Sequence, residues 1–206
     1  MEAGIKDNGI STLPEIYPFF TSSLHTLSLA ANEVDTIRPT ITYKKDITFG
    51  FIENFEQGVT FFSDDLDGNE NTRITIVTDG AFEGNRSGLI TLDRTNNVID
   101  VATDLNRRFI NLQDKNPSVY LELHYKTDVE IAFGLIGYPE NNSTSSQRQY
   151  GPVLLPKKEW NKIYLNLSEI AFLIQAKSYQ ITFFAVLPPD LEKGEIWLDN
   201  IKLLYF

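Results

Sequence analysis

Cysteine is absent from the 206 residues, and histidine occurs only at His25 and His124. The first absence excludes disulfides, thiolate zinc sites and cysteine nucleophiles. The second leaves a Ser-His-Asp arrangement only two candidate bases, and no G-x-S-x-G elbow accompanies them. His25 falls in a weakly patterned region, and His124 is expected on a sheet surface beside Glu122 and Lys126. No apolar run reaches the roughly 18 residues that span a bilayer as a helix. The start Met1-Glu2-Ala3-Gly4 shows no export signal and is read as a start from which one has been removed. Gly80–Gly88 (GAFEGNRSG) lacks the Gly-Lys-Ser/Thr ending of a phosphate-binding loop and reads as a turn into a strand.

Positive charge is also scarce: 28 acidic residues against 18 basic give a net charge of −10. Such a field repels phosphate backbones, which excludes nucleic acid as the expected partner. What is abundant is apolar and aromatic side chain, 42% and 12% of the residues, with 22% charged. That composition is globular and fills a sizeable core at this length.

Residues 1–47 differ from the rest. Gly4, Asn8, Gly9, Ser11, Pro14 and Pro18 punctuate the start, which reads as a tether or edge segment. Ser28–Glu33 has mild helical character, and Thr36–Tyr43 is a candidate edge strand because of Pro39. From residue 48 onward the period is 2. Phe49–Asn54, Val59–Phe62 and Arg73–Thr78 read as short strands. Gly88–Asp93 and Val98–Thr103 flank Asn96-Asn97 as a plausible hairpin. In Ser118–Lys126, Val119, Leu121, Leu123 and Tyr125 share one face, while Tyr120, Glu122, His124 and Lys126 share the other. Val129–Leu135 follows after a tight turn at Asp128. Trp160–Leu167 offers Trp160, Ile163, Leu165 and Leu167 to the core, with Ser168 as the N-cap of a short helix to about Leu173. Tyr179–Leu187 and Glu195–Tyr205 close the chain. Asn141–Gln149 is the most polar stretch and reads as a loop. Many short strands with almost no helical pattern predict an all-β, antiparallel jelly-roll β-sandwich over 48–206.

The chemistry these residues support is recognition rather than reaction. No paired carboxylates with glycosidase spacing stand out, and Glu53 and Glu56 at i,i+3 fall on opposite faces of a strand. Asp64, Asp65, Asp67, Asn69 and Asn71 crowd one loop rich in oxygen ligands, but depart from the EF-hand spacing. Tyrosine and tryptophan present flat apolar faces with a polar edge, suited to stacking on sugar rings. Trp160 and Trp197 lie in well-patterned strands and read as structural. Tyr138 and Tyr150 flank the polar loop, and Tyr120, Glu122 and His124 share a sheet face. These five are the candidate ligand-binding residues.

Four segments together resemble the galactose-binding-like jelly-roll domains, which include many carbohydrate-binding modules. They are Phe51–Gly58 (FIENFEQG), Gly84–Leu92 (GNRSGLITL), Glu159–Leu167 (EWNKIYLNL) and Glu195–Leu203 (EIWLDNIKL). The pattern is also similar to that of uncharacterised surface lipoproteins of Bacteroidetes-type bacteria. The resemblance implies a structural calcium between Glu56 and Asp199, completed by main-chain carbonyls near Glu83 and Arg86. It further implies a non-catalytic domain that binds a glycan or polysaccharide, extracytoplasmic at the cell surface or in the periplasm, with a membrane tether through a removed N-terminal lipid anchor. Two alternatives stay open: a structural or adhesion domain with a protein partner, and a sandwich-fold glycoside hydrolase or lyase.

Overall fold

The computed structural model describes residues 20–21, 42–43, 48–105, 109–110, 118–140 and 144–205. The chain divides into two compact units, 1–47 and 48–206. In the first, β1 (Phe20–Thr21) and β2 (Thr42–Tyr43) pair antiparallel. The helical character expected at Ser28–Glu33, and His25, lie outside the described residues.

In the second unit the strands are β3 (Thr48–Glu53), β4 (Asp64–Asp65), β5 (Thr75–Val77), β6 (Ser87–Asp93), β7 (Val98–Ala102), β8 (Phe109–Ile110), β9 (Val119–Thr127), β10 (Ile131–Tyr138), β11 (Gln147–Leu154), β12 (Lys157–Asn166), β13 (Ser178–Val186) and β14 (Lys193–Tyr205). Among the described residues one α-helix, α1 (Ser168–Ile174), joins β12 to β13, and a short 3-10 turn lies at Glu70–Thr72. The first sheet runs β12-β9-β14-β6-β5, with β3 also on β14. The second runs β11-β10-β13-β7-β4, with β8 also on β13. Every described pairing is antiparallel. The architecture is an antiparallel jelly-roll β-sandwich.

Alternation decides which side chains fill it. Leu121, Leu123 and Tyr125 of β9 and Ile90 and Leu92 of β6 meet Ile131, Phe133 and Leu135 of β10 and Ile181 and Phe183 of β13 in one buried cluster. Two stacked sheets bury such rows without leaving ladder groups unpaired. In β14 the alternation skips: Ile196 and Leu198 point inward, and so do Ile201 and Leu203. The register slips between Asp199 and Lys202 opposite β9, and Asn200 adopts a positive φ of 48°. This is a β-bulge, whose extra residue resets the inward face. Asn tolerates the left-handed region better than most residues.

Several expectations are corrected. Asn96-Asn97 does sit in a turn, built on Asp93 Oδ1, which accepts the N–H groups of Thr95 and Asn96 at 2.8 Å each. The strands it joins are not a hairpin, however: β6 belongs to the first sheet and β7 to the second. Because both strands feed the core, the chain crosses between layers there. The same holds for β9 and β10, joined by an arch in which Thr127 Oγ1 accepts Val129 N–H at 3.1 Å. Val59–Phe62 is not a strand. Its backbone is captured by the buried Glu53, whose carboxylate accepts Phe55 N–H at 2.8 Å and Phe61 N–H at 2.6 Å. Ser168 is not the N-cap of α1: Leu167 holds that position, and Ser168 Oγ instead accepts Val119 N–H at 2.9 Å. Gln147–Gln149 are strand residues of β11 rather than loop.

Candidate functional site

The face of the second sheet turned away from the core carries Asp100 of β7, Gln180, Thr182, Phe184 and Val186 of β13, Ala132, Gly134, Ile136 and Tyr138 of β10, and Arg148 and Tyr150 of β11. The register sets them side by side: Gly134 opposes both Tyr150 and Thr182, while Phe184 opposes Ala132 and Asp100. Gly134 has no side chain, so nothing on β10 stands between Tyr150 and β13. The Tyr150 ring lies across that gap, 6.0 Å from the Phe184 ring between centroids. Its hydroxyl reaches over two strands and donates to Asp100 Oδ1 at 2.7 Å. Arg148 crosses the sheet beside it, and its Nη1 donates to Asp100 Oδ2 at 2.5 Å. One carboxylate thus anchors a phenol and a guanidinium together, and burial, then the bond to Asp100, pushes the Tyr150 hydroxyl up from its ordinary pKa.

The result is a fixed aromatic plate with a polar margin. Tyr150 and Phe184 are half-buried, while Val153 is 49% and Val186 41% exposed around them. Asp100 also lines a hollow of about 250 Å³ at the β4–β7 edge, with Thr60, Ser63, Asp65 and Arg73. Tyr138 lies on the same face but is buried, and its hydroxyl donates to the amide oxygen of Gln180. It packs with Ala102 and Ile136 instead of presenting its ring.

The structure does not bring the five candidate residues together. Tyr120, Glu122 and His124 lie on β9, on the outer side of the first sheet, and all three are buried. Glu122 Oε1 meets Lys162 at 3.0 Å and Lys202 at 3.2 Å. Burial raises its pKa, but hydrogen bonds from Tyr164 and Lys162 and the charges of both lysines outweigh that and hold it below the ordinary value. The expected surface position of His124 is corrected too: Phe82 stacks on its ring, with centroids 3.8 Å apart. Its Nδ1 is buried with no hydrogen-bond partner among the described residues. Burial, then the charge of Lys162, lowers its pKa from 6.5.

Glu56 and Asp199, the implied calcium ligands, grip one loop from two points. Glu56 Oε1 accepts the N–H groups of Asn85 at 2.7 Å and Arg86 at 2.9 Å. Asp199 Oδ2 accepts those of Phe82 at 3.0 Å and Glu83 at 3.1 Å, and its Oδ1 that of Asn200 at 2.8 Å. Calcium asks for six to eight oxygen ligands. Here N–H dipoles face the carboxylates where carbonyl oxygens would be needed, so the pair as arranged does not fit that ion. Its residues serve instead as loop anchors. Gly84 belongs to the same grip: its φ is +76°, and a Cβ there would lie 2.4 Å from Glu56 Oε1. The acidic loop Asp64–Asn71 is likewise engaged, mostly by main-chain N–H groups. Asp65 Oδ1 accepts from Asp67 and Gly68, Asp67 Oδ2 from Asp100, and Asn69 Oδ1 from Asn71. Among the described residues no group of three or more His, Cys, Asp or Glu is placed to hold a metal ion.

Sequence reasoning missed Asp100, Arg148 and Phe184. Alternation in β7 and β13 places Asp100 and Phe184 outside, but only the pairing of β11 to β10 to β13 to β7 brings Arg148 and Asp100 within reach of each other. It also misplaced Trp160, which it offered to the core. Trp160 and Trp197 are half-buried, on the outer side of the first sheet, and neither belongs to the core cluster.

No protein-family model matches the chain, and no curated protein matches it. Solved structures of similar shape include the CBM22-1 xylan-binding domain from Paenibacillus barcinonensis, at 13% identity and a TM-score of 0.49, over 77% of this chain and 94% of that one. TmCBM61 in complex with β-1,4-galactotriose matches at 12% identity and a TM-score of 0.46, over 73% and 92%. A family 11 carbohydrate-binding module from Clostridium thermocellum, in complex with a β-1,3-1,4-mixed-linked tetrasaccharide, matches at 14% identity and a TM-score of 0.45, over 69% and 93%.

Proposed function

We propose that residues 48–206 form a non-catalytic carbohydrate-binding domain whose ligand, a polysaccharide chain, lies on the Tyr150 face of the second sheet. The observation that carries this reading is the Tyr150 ring, held across the sheet by Asp100 with Arg148 at its margin. A sugar ring has an apolar face of axial C–H groups and a rim of hydroxyls. An immobilised aromatic plate receives the first, and a guanidinium–carboxylate pair offers donors and acceptors to the second. Because the plate is fixed before binding, little side-chain entropy remains to be lost. Glycoside hydrolysis would require one carboxyl free to give a proton and a second one opposite. Asp100 spends both oxygens on Arg148 and Tyr150, which favours binding over cleavage.

Affinity electrophoresis in gels containing xylan, galactan or mixed-linkage glucan tests the reading. Tyr150→Ala removes the plate and is expected to weaken retention at least about tenfold, as loss of a central aromatic anchor does. Tyr150→Phe keeps the ring and loses the bond to Asp100, for an expected loss of about 1 kcal/mol, several-fold in affinity. Retention of Tyr150→Ala equal to the unchanged protein, or no retention on any polysaccharide, overturns the assignment. The same reading places the domain outside the cytoplasm, where such polymers are met, and membrane fractionation of the source cells would test that placement.

A further inference from the structure

The outer side of the first sheet carries a second aromatic cluster, separate from the Tyr150 face. The loop at residues 78–86 crosses that side, pinned by the Asp199 and Glu56 carboxylates through four main-chain N–H groups. From it Phe82 packs on His124 and meets the Trp160 ring edge-on, with centroids 5.9 Å apart, yet remains 47% exposed. Trp160 Nε1 donates to Gly80 O at 3.2 Å, and Trp197 Nε1 donates to Glu195 Oε2 at 3.2 Å. Both indoles are therefore fixed by their own N–H groups. Gly80, at φ +76°, lets the loop pass close: a Cβ there would lie 3.3 Å from Trp197 Cζ3.

Between the indoles stands Lys126. Its ammonium is 4.1 Å from the Trp197 ring centroid and 5.4 Å from that of Trp160. Among the described residues it makes no ion pair. Its neighbours Lys162 and Lys202 are both spent on Glu122. Glu195, the acidic group nearby, is taken by Lys193 at 2.7 Å and by the Trp197 N–H. Lys126 thus feels the Glu195 carboxylate without an ion-pair contact and packs against two ring faces, on a protein whose net charge is −10. Ring faces attract an ammonium without neutralising it.

We propose that this cluster is a second saccharide site, selective for an acidic sugar: the carboxylate of a uronic acid pairs with Lys126, and its pyranose ring packs on Trp160 and Phe82. A charge-assisted bond to an ammonium that makes no ion-pair contact among the described residues, at the edge of aromatic rings, discriminates a uronate from a neutral hexose. The site does not depend on the reading of the Tyr150 face, and either can fail without the other.

The chain supplies its own reporter, because its only two tryptophans both sit in this cluster. Intrinsic tryptophan fluorescence therefore reads this site and not the Tyr150 face. Titration of the full chain with tetragalacturonic acid at low salt is expected to give a saturable change, absent or at least tenfold weaker with neutral cellotetraose or galactotetraose. Lys126→Met should weaken the acidic response about tenfold or more. Phe82→Ala, an exposed position, should weaken it several-fold, and Tyr150→Ala should leave it unchanged. No saturable change with the acidic sugar, an equal response to the neutral ones, or an unaltered titration in folded Lys126→Met would each overturn the proposal. Were Lys126→Met not to fold, an unaltered titration in Phe82→Ala would do so.

Discussion

At the residue scale the most exacting position is His124. Phe82 covers it, Lys162, Lys202, Glu122 and Glu83 surround it electrostatically, and its Nδ1 has no hydrogen-bond partner among the described residues. Burial and then Lys162 favour the neutral ring, so its folded pKa lies below the unfolded value of 6.5. The sign follows from proton counting: below 6.5 the unfolded chain takes up a proton that the folded one refuses. The contribution is fully present above pH 6.5 and is lost as pH falls through 6.5 toward the folded pKa. Thermal melts of the unchanged protein should therefore decline between about pH 7 and 5, and a His124→Phe variant should flatten that decline. An identical slope in both would show that another group titrates there. Glu122 acts in a lower window, because its depressed pKa stabilises the fold above the ordinary carboxylate value of 4.5 and withdraws that support as pH falls below it.

At the scale of elements, β14 does the most. It pairs with β9 along one edge, and with β6 and then β3 along the other. Its bulge at Asn200 keeps Ile196, Leu198, Ile201 and Leu203 all in the core, while Asp199 faces the loop it anchors. Deleting Asn200 would turn Ile201 and Leu203 outward, since a one-residue slip exchanges the faces of a strand. Loss of cooperative unfolding is the expected result. Asn200→Val keeps the length but forces a β-branched residue to positive φ, at about 1–2 kcal/mol or more. It also removes the 2.9 Å bond from Asn200 Nδ2 to Glu83 Oε2. Asn200→Gly loses that bond alone and should cost less. Urea titrations that ranked Val above Gly in stability would contradict the bulge geometry.

At the scale of the whole molecule, the unit 48–206 holds the two-sheet core within itself. A fragment spanning it should unfold in one cooperative step, show β-type circular dichroism, and keep the polysaccharide retention assigned to Tyr150. A fragment that is soluble but unfolded would show that residues 1–47 are needed for the fold. The two proposed saccharide surfaces lie on the outer sides of different sheets, so one domain could hold a neutral stretch of polymer on one side and a uronate on the other.

How much of this was legible in the sequence depended on the distance over which each cause acts. Alternation is local, so Leu121, Leu123, Ile131 and Phe133 could be assigned to one face of their strands from the sequence alone, and the sandwich followed. Tyr150 stood out because it borders a polar segment. Which layer a strand joins is not local: the Asn96-Asn97 turn reads as a hairpin, and only packing of both strands against one core sends β6 and β7 to different sheets. The sequence by itself determined an all-β antiparallel chain and the inward face of most strands, because a pleated backbone fixes side-chain direction every two residues. Only the tertiary structure decided that Arg148, Tyr150 and Asp100 meet, that Trp160 and Trp197 flank Lys126 outside the core, and that Glu56 and Asp199 grip the same loop. Those contacts join residues 29 to 117 positions apart, and strand order and register, which no short window of sequence carries, set their distances.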